Sequence, residues 1–509
     1  MLAIRHFFVS FDTLVQYKAK TINYLLFRKV FLMIDRLTDE KIICWIDDNK
    51  NEILEKWINL AKIPSIRSEA LPGAPFGANC KKALDYSAEI FSEKGFTCEN
   101  RSDRGYALAY YGNQGKTIGL FCHSDVVPVG DGWLYTKPFE PVIKNGALIG
   151  RGVEDNKSGI IASFCLYKFL KDNNIVLNNR LQTFIGSDEE CGMQDLENYL
   201  EDKNVVPDMS IVPDADFPCS VGEKGIYHFL AGSDEMFCDV VDFYGGEAYN
   251  IVLDNVTVKI RYNPELEREI KALIENKNEF ELSCDEGLLI FRAKGIAKHA
   301  SIPDGSVNAA LIASRLLSEC ESLNVRDRKI FAAISDILSS DYGHGIGVVH
   351  DDENFGRMTS VNGLCKTVDK KPFISFDVRY GSTLDADYLE KTTEKVLSDK
   401  GFTVVEKDNS PGFAIDKDSE LPEIFEQIYE DITGESKKRV LMSGGTYARK
   451  LKNAFSIGTF AFENGKSSSF LMPDGHGGAH QCDEMIDIEG FFTALRILIH
   501  SVIECDKKL

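Results

Sequence analysis

Histidine and acidic side chains recur where apolar runs end. Thr117–Cys122 runs into His123-Ser124-Asp125, and Leu181–Ile185 is followed by Asp188-Glu189-Glu190. Met209–Val212 leads into Pro213-Asp214-Ala215-Asp216. Glu154-Asp155-Asn156-Lys157 stands before a helical pattern starting at Ser158, and a Gly- and Ser-rich loop beyond Phe455–Phe460 reaches His480. A single His or Asp after a strand is more often a turn former or a solvated side chain than a ligand. Five such segments at the same kind of position are hard to attribute to turns. Imidazole and carboxylate in mixture suit zinc or manganese, whereas a sulfur-rich set would point to a structural site. His123 with Asp125 offers a metal ligand and a carboxylate to orient its ring. Adjacent Glu189 and Glu190 offer a division of labour, one binding metal and one acting as base on a water.

Positioning these groups requires strands that end at one edge. Apolar spacing predicts a helix over Ala78–Lys94, with Cys80, Ala83, Leu84, Ser87, Ala88 and Phe91 on one face and Gly95 as its stop. Strands follow at Tyr106–Tyr111 and Thr117–Cys122, then a helix over Ser158–Leu170, then strands at Leu181–Ile185 and Met209–Val212. Apolar strands alternating with helices indicate an α/β layer with a mixed, mostly parallel sheet and flanking helices. In such a sheet the ligand crevice lies beyond the carboxyl ends of the strands, where the His and acidic residues fall.

From about 229 to 414 the pattern changes. Strands at Val256–Tyr262 and Leu288–Ala293 precede a helix over Ala309–Leu323. A second set follows, with a strand at Phe373–Tyr380, a helix at Asp385–Lys400 and a strand at Phe402–Glu406. This βαββαβ-like series predicts a separate α+β, ferredoxin-like domain. The helix Leu421–Ile432 and the strand Phe455–Phe460 then read as a return to the first domain. The expected organisation is an extension at 1–32, a catalytic domain at 33–228 and 415–509, and an inserted domain at 229–414.

Composition narrows the partners. The 509 residues carry 58 Lys and Arg against 79 Asp and Glu, a net charge of -21, with no concentrated basic stripe. Such a chain repels a phosphate backbone, so no nucleic-acid partner is expected. The 13 cysteines show no C-x-x-C pairs, and several, such as Cys122 and Cys165, sit inside apolar runs. A reducing, cytoplasmic setting is expected. Residues 1–32 are apolar with interspersed Arg5, Lys18, Lys20, Arg28 and Lys29. They hold no stretch long enough to span a bilayer; a basic amphipathic helix on a membrane surface is one reading, upstream sequence is the other, and no membrane partner is expected. They read as sequence upstream of a start at Met33, dispensable for activity.

Other patterns do not hold up. Arg151 to Ser158 lacks the glycines of a phosphate loop, with Arg151 and Asn156 in their places. His476 and His480 are four apart, but Gly477 and Gly478 argue against a helical zinc pair, which leaves His476 a loop residue. Gly343, Gly345 and Gly347 lie in no βαβ unit, and Ser187 and Ser443 lack a nucleophile elbow.

With these segments in hand, the sequence resembles the co-catalytic di-zinc exopeptidases, which include bacterial dipeptidases, carnosinases, acetylornithine deacetylase, succinyl-diaminopimelate desuccinylase, aminoacylase and glutamate carboxypeptidase. HSDVVPVGDGW at 123–133 is similar to the family's His-x-Asp segment, GRGVEDNKSG at 150–159 to its Gly-Arg-Gly-x-x-Asp segment, and GSDEECG at 186–192 to its Glu-Glu segment. PDADFP at 213–218, EKG at 223–225 and GGTYAR at 444–449 resemble the bacterial dipeptidase branch more narrowly, and GAHQCDE at 478–484 the closing His motif. The motifs follow family order from about 120 to 484.

The resemblance implies two divalent ions, zinc first, with manganese or cobalt as alternatives. Asp155 would bridge them, His123 and Asp214 would complete one site, and Glu190 and His480 the other. Asp125 would orient His123, and Glu189 would be the general base. The inserted domain would be the family's lid, with Asn250, His299 and Arg379 contacting a small peptide substrate together with Gly445 and Thr446. His299 would stabilise the oxyanion, and Arg379 would hold the substrate carboxylate by a bidentate pair. The implied assembly is a monomer or a homodimer. Cys191, Met193 and Ser443 depart from the dipeptidase pattern and bear on substrate preference rather than on the metal ligands. A deacylase acting on N-acyl amino acids would share every ligand. A non-catalytic metal-binding protein would have no use for Glu189.

Overall fold

A computed structural model describes residues 36–246, 248–416, 419–463, 472–473 and 475–509. The extension at 1–32, the start at Met33 and part of the loop before His480 lie outside the described residues. Among the described residues no helix is long and apolar enough to cross a membrane. The chain divides into two compact units. Unit 1 comprises the residues up to Val221, Ile415–Val440 and Thr446–Leu509; unit 2 comprises Gly222–Ala414 and Leu441–Gly445.

Helix α1 (Arg36–Ala61) turns Ile42, Trp45, Ile46, Ile53, Trp57 and Leu60 inward, a stripe at three- and four-residue spacing. Helix α2 (Ala78–Ser92) buries the face read from its sequence, and Gly95, at φ +75°, follows its end. Strands β1 (Thr97–Arg101), β2 (Tyr106–Tyr111) and β3 (Thr117–His123) come next. They are followed by α3 (Lys157–Asp172), β4 (Arg180–Gly186), α4 (Gln194–Lys203) and β5 (Met209–Ala215). All seven residues of β3 are buried, as expected of a central strand covered on both faces.

The chain then builds unit 2. Strands β6 (Gly225–Ser233), β7 (Val240–Tyr244) and β8 (Asn255–Arg261) precede α5 (Pro264–Leu273), β9 (Phe280–Asp285) and β10 (Leu288–Lys294). Helices α6 (Ala309–Glu319) and α7 (Val325–Ile337) follow, then β11 (Thr359–Val361), β12 (Cys365–Val368), β13 (Lys371–Tyr380), α8 (Ala386–Asp399) and β14 (Phe402–Ser410). The unit is α+β with two larger antiparallel sheets, in the orders β7-β8-β10-β9 and β11-β13-β6-β14, with β12 also on β13, and a short ribbon pairing Asp351–Asp352 with Gly356–Arg357. The two predicted strand–helix sets therefore fall in different sheets. A bridge between Gly245 and Cys365 links them, and one core running from Tyr227 to Phe402 serves both. The expected boundary at 229 falls inside β6, whose pairing with β13 runs unbroken from Gly225 to Gly232.

Unit 1 is completed by α9 (Glu420–Thr433), β15 (Ala454–Gly458) and α10 (Ile488–Lys508). Six strands of its main sheet run in the order β1-β2-β4-β3-β5-β15. The strands β4, β3, β5 and β15 are mutually parallel, and β1 and β2 are added antiparallel at the edge. Helices α1, α3 and α10 pack on one another, which explains why α3 is buried all round from Lys157 to Leu170. Register sets the carboxyl ends level: His123 lies beside Gly186, and Pro213 beside Ile457.

Candidate active site

The level strand ends bring distant residues together. His123 is the last residue of β3, Asp214 lies at the end of β5, and Glu189 and Glu190 form a short 3-10 turn after β4. Asp155 lies two residues before α3. His123 Nε2 is 3.0 Å from Asp155 Oδ1 and 3.4 Å from Asp214 Oδ2. His480 Nε2 is 3.0 Å from Asp155 Oδ2 and 3.2 Å from Glu190 Oε1. Two ligand groups result, His123–Asp155–Asp214 and Asp155–Glu190–His480, each with its ligand atoms within 4.8 Å of one another and both including Asp155.

Carboxylates crowd this cluster. Among the described residues, the cations within ion-pair distance of Asp155, Asp214 and Glu190 are the two imidazoles. Burial works against the Asp155 carboxylate, yet His123 and His480 hold it below the usual range. Burial, with repulsion from Asp155, pushes Glu190 up to about 7 and raises Asp214. The carboxylates of Asp155 and Glu190 push His480 up to about 11. Burial also raises Glu189 well above the carboxylate range. His123 Nε2 and Glu189 Oε1 are buried without a hydrogen-bond partner, although His123 Nε2 lies near two carboxylates. An atom aimed between two carboxylate oxygens but aligned with neither is placed to share a cation rather than a proton. The nitrogen and oxygen donors suit zinc or manganese, so the residues fit a pair of divalent ions.

Buried groups that are not themselves ligands hold each loop. Asp125 accepts the backbone N–H groups of Glu189 at 3.3 Å and Glu190 at 3.1 Å. His123 Nδ1 meets the Asp125 carbonyl at 3.1 Å and its carboxylate at 3.5 Å. Asp195 accepts the N–H groups of Ser187 and Asp188 and the Tyr447 hydroxyl at 2.6 Å. Asn156 donates to Asp214 Oδ1 at 2.9 Å and to the Pro213 carbonyl. Glu484 accepts the N–H groups of Gly152, Glu154 and Asp155 and pairs with Arg151 at 2.8 Å. His480 has φ +66°, a left-handed conformation that few residues other than glycine adopt. His476 joins neither ligand group; its Nδ1 pairs with Asp483 at 2.7 Å.

The remaining predicted contacts divide between the units. In unit 2, Asn250 and His299 are exposed neighbours: Ile251 bridges His299, and Ala300 N–H donates to the Asn250 carbonyl at 2.9 Å. His299 Nδ1 meets Ser301 Oγ at 2.7 Å. Arg379 is buried, held bidentately by Asp377 at 2.6 and 2.8 Å, and donates to the Ser443 carbonyl at 3.1 Å. Gly445 lies two residues beyond Ser443 and is half-buried. In unit 1, Thr446 is buried, with its hydroxyl 3.1 Å from Ser456 Oγ and accepting the Ala448 N–H.

The sequence matches the profile of Peptidase family M20/M25/M40 over residues 119–504, well over half of the chain. The chain belongs to peptidase family M20/M25/M40. It is therefore a hydrolase acting on peptide bonds. A Staphylococcus aureus member, whose name gives dipeptidase as an inferred activity, is 28% identical over 475 residues, covering 90% of this chain and 97% of that one. Human carnosine dipeptidase 1 shares the fold at 14% identity, with a TM-score of 0.57, over 92% of this chain and 99% of that one. A Saccharomyces cerevisiae di-peptidase does so at 13% identity, with a TM-score of 0.56, over 92% and 98%.

Reading the sequence alone left Arg151, Asn156, Asp195, Tyr447 and Glu484 without a role. Glu484 carried a signal: an acidic residue four beyond His480 that opens directly into the strand Met485–Asp487.

Proposed function

We propose that this M20/M25/M40 peptidase is a dipeptidase that binds two divalent ions, zinc first, with manganese or cobalt as alternatives. The observation that carries the reading is the meeting of two ligand groups at Asp155, with the buried carboxylate of Glu189 in electrostatic reach of His123, Asp214, Glu190 and Asp155. His123, Asp155 and Asp214 would hold one ion, and Asp155, Glu190 and His480 the other. When bound, such ions lower the pKa of a water and polarise the scissile carbonyl. Glu189 would take a proton from the attacking water and return it to the leaving amine. Asp125, which anchors the amides of Glu189 and Glu190, keeps that carboxylate in place. Asn250, His299, Arg379, Gly445 and Thr446 would contact the substrate, with His299 at the oxyanion and Arg379 at the C-terminal carboxylate.

A product-release assay on a panel of dipeptides and N-acyl amino acids, with zinc, manganese and cobalt supplied separately, tests this reading. Dipeptide cleavage that depends on added metal is the expected result. Preferential release from N-acyl amino acids would replace it with a deacylase, and metal binding without turnover on either panel would reject catalysis.

A further inference from the structure

We propose that Arg151 and Glu484 are positioning residues that tie Asp155 to His480 and so assemble the Asp155–Glu190–His480 group. Both side chains are 1% exposed and lie 2.8 Å apart. Burying such a pair is costly, so its contacts are where its use must be sought. The Glu484 carboxylate has a full set of donors. Oε1 takes the N–H of Glu154 at 3.0 Å and of Asp155 itself at 3.2 Å; Oε2 takes the N–H of Gly152 at 2.9 Å and Arg151 Nη1. Four donors match the acceptor capacity of one ionised carboxylate.

Arg151 carries the connection onward. Its Nη2 lies 3.3 Å from the carbonyls of Pro128, Val129 and His480. His480 is the ligand with a left-handed backbone, so a buried cation on its carbonyl opposes relaxation of that conformation. The main chain reinforces the tie. The strand Met485–Asp487 pairs antiparallel with Ala147–Ile149, and Gly150 N–H donates to the Glu484 carbonyl at 2.9 Å. Two segments more than 300 residues apart are thus registered a few residues before one ligand and a few residues after another. The other ligand group shares Asp155, but its remaining members take their supports elsewhere, His123 from Asp125 and Asp214 from Asn156, and Arg151 touches neither. Loss of Arg151 should therefore weaken one ion far more than the other.

The inference rests on the two-ion reading, and the experiment separates the two. Stepwise zinc titration of the full chain by calorimetry, with metal counting after dialysis, is applied to wild type, Arg151→Met, Arg151→Lys and Glu484→Gln. Lys keeps the charge without the fork, and Gln presents an N–H₂ to donors that need an acceptor. The expected result is at least one ion weakened by roughly 10- to 100-fold in each variant, the usual scale for a group that orients a ligand. In Arg151→Met and Arg151→Lys the second ion should stay within a few-fold of wild type. Melting of the metal-free proteins distinguishes a general loss of fold, which would weaken both ions together. Equal weakening of both ions in Arg151→Lys, or no weakening in any variant, overturns the inference while leaving the two-ion reading intact. Wild type binding fewer than two ions overturns the reading instead. Should Glu484→Gln fail to fold, Arg151→Lys decides the matter.

Discussion

Asp125 Oδ2 accepts the backbone N–H of Glu190 at 3.1 Å, across a gap of 65 residues in sequence. Its other oxygen accepts the neighbouring amide of Glu189, so one buried carboxylate holds both acidic residues by their main chain. Asp125→Asn keeps the shape but turns an N–H₂ toward one of those amides. Turnover should fall about 10- to 100-fold at saturating metal, with both ions still bound. Unchanged turnover would show that the anchoring has no catalytic consequence.

Glu189 and Glu190 share a side chain and a short turn but face different surroundings. Glu190 Oε1 lies 3.2 Å from His480, whereas Glu189 Oε1 is buried without a partner. Glu189→Gln should bind two ions and substrate normally while kcat drops by roughly 10²–10⁴-fold, the range of a general-base contribution. Glu190→Gln should lose metal, and excess metal should restore part of its activity. Metal loss in the first variant with full occupancy in the second would reverse the assignment.

Asp155 belongs to both ligand groups and His480 to one. Asp155→Ala should abolish binding of both ions, and His480→Ala should weaken mainly one. Metal counting after dialysis separates these outcomes; two ions retained by Asp155→Ala would remove the bridging role.

The parts of this molecule most legible in its sequence are those with one buried face or a short apolar run. The helix Ala78–Ser92 shows its stripe, and β2, β3 and β4 show theirs as apolar runs ending in polar turns. Helix α10 gave no such signal, because Phe491, Phe492, Leu495, Ile497, Leu498 and Ile499 bury it on every side and erase the period. The two larger sheets of unit 2 were equally hidden, since strand partners are set by tertiary pairing and not by local pattern. Within the site, His123, Asp155, Glu190, Asp214 and His480 stand out because ligand-type residues follow strands or precede a helix. Arg151, Asp195 and Glu484 do not, because their work is done on backbone amides and carbonyls of residues far away in sequence.

Arg379 poses the sharpest test in unit 2. Its Nε and one Nη2 hydrogen are committed to Asp377, and one Nη1 hydrogen to the Ser443 carbonyl. Of the five N–H groups a guanidinium carries, these contacts leave two, one on each terminal nitrogen, and a substrate carboxylate could take both as a fork. Asp377 lies opposite His228 in the β6–β13 register and meets it at 3.0 Å, so the fork is braced from behind. If that fork holds the substrate's C-terminus, Arg379→Lys should raise KM, because an ammonium cannot reproduce two parallel bonds. Arg379→Ala should raise it further, and amidating the dipeptide should cost the wild type a comparable factor. Removing one partner of such a pair costs about 2–5 kcal/mol. The decisive comparison is the substrate cycle: amidation should matter greatly for wild type and hardly at all for Arg379→Ala, a pattern that general damage to unit 2 would not produce. A wild-type enzyme that cleaves free and amidated dipeptides equally well would leave Arg379 as a structural partner of Asp377 and nothing more.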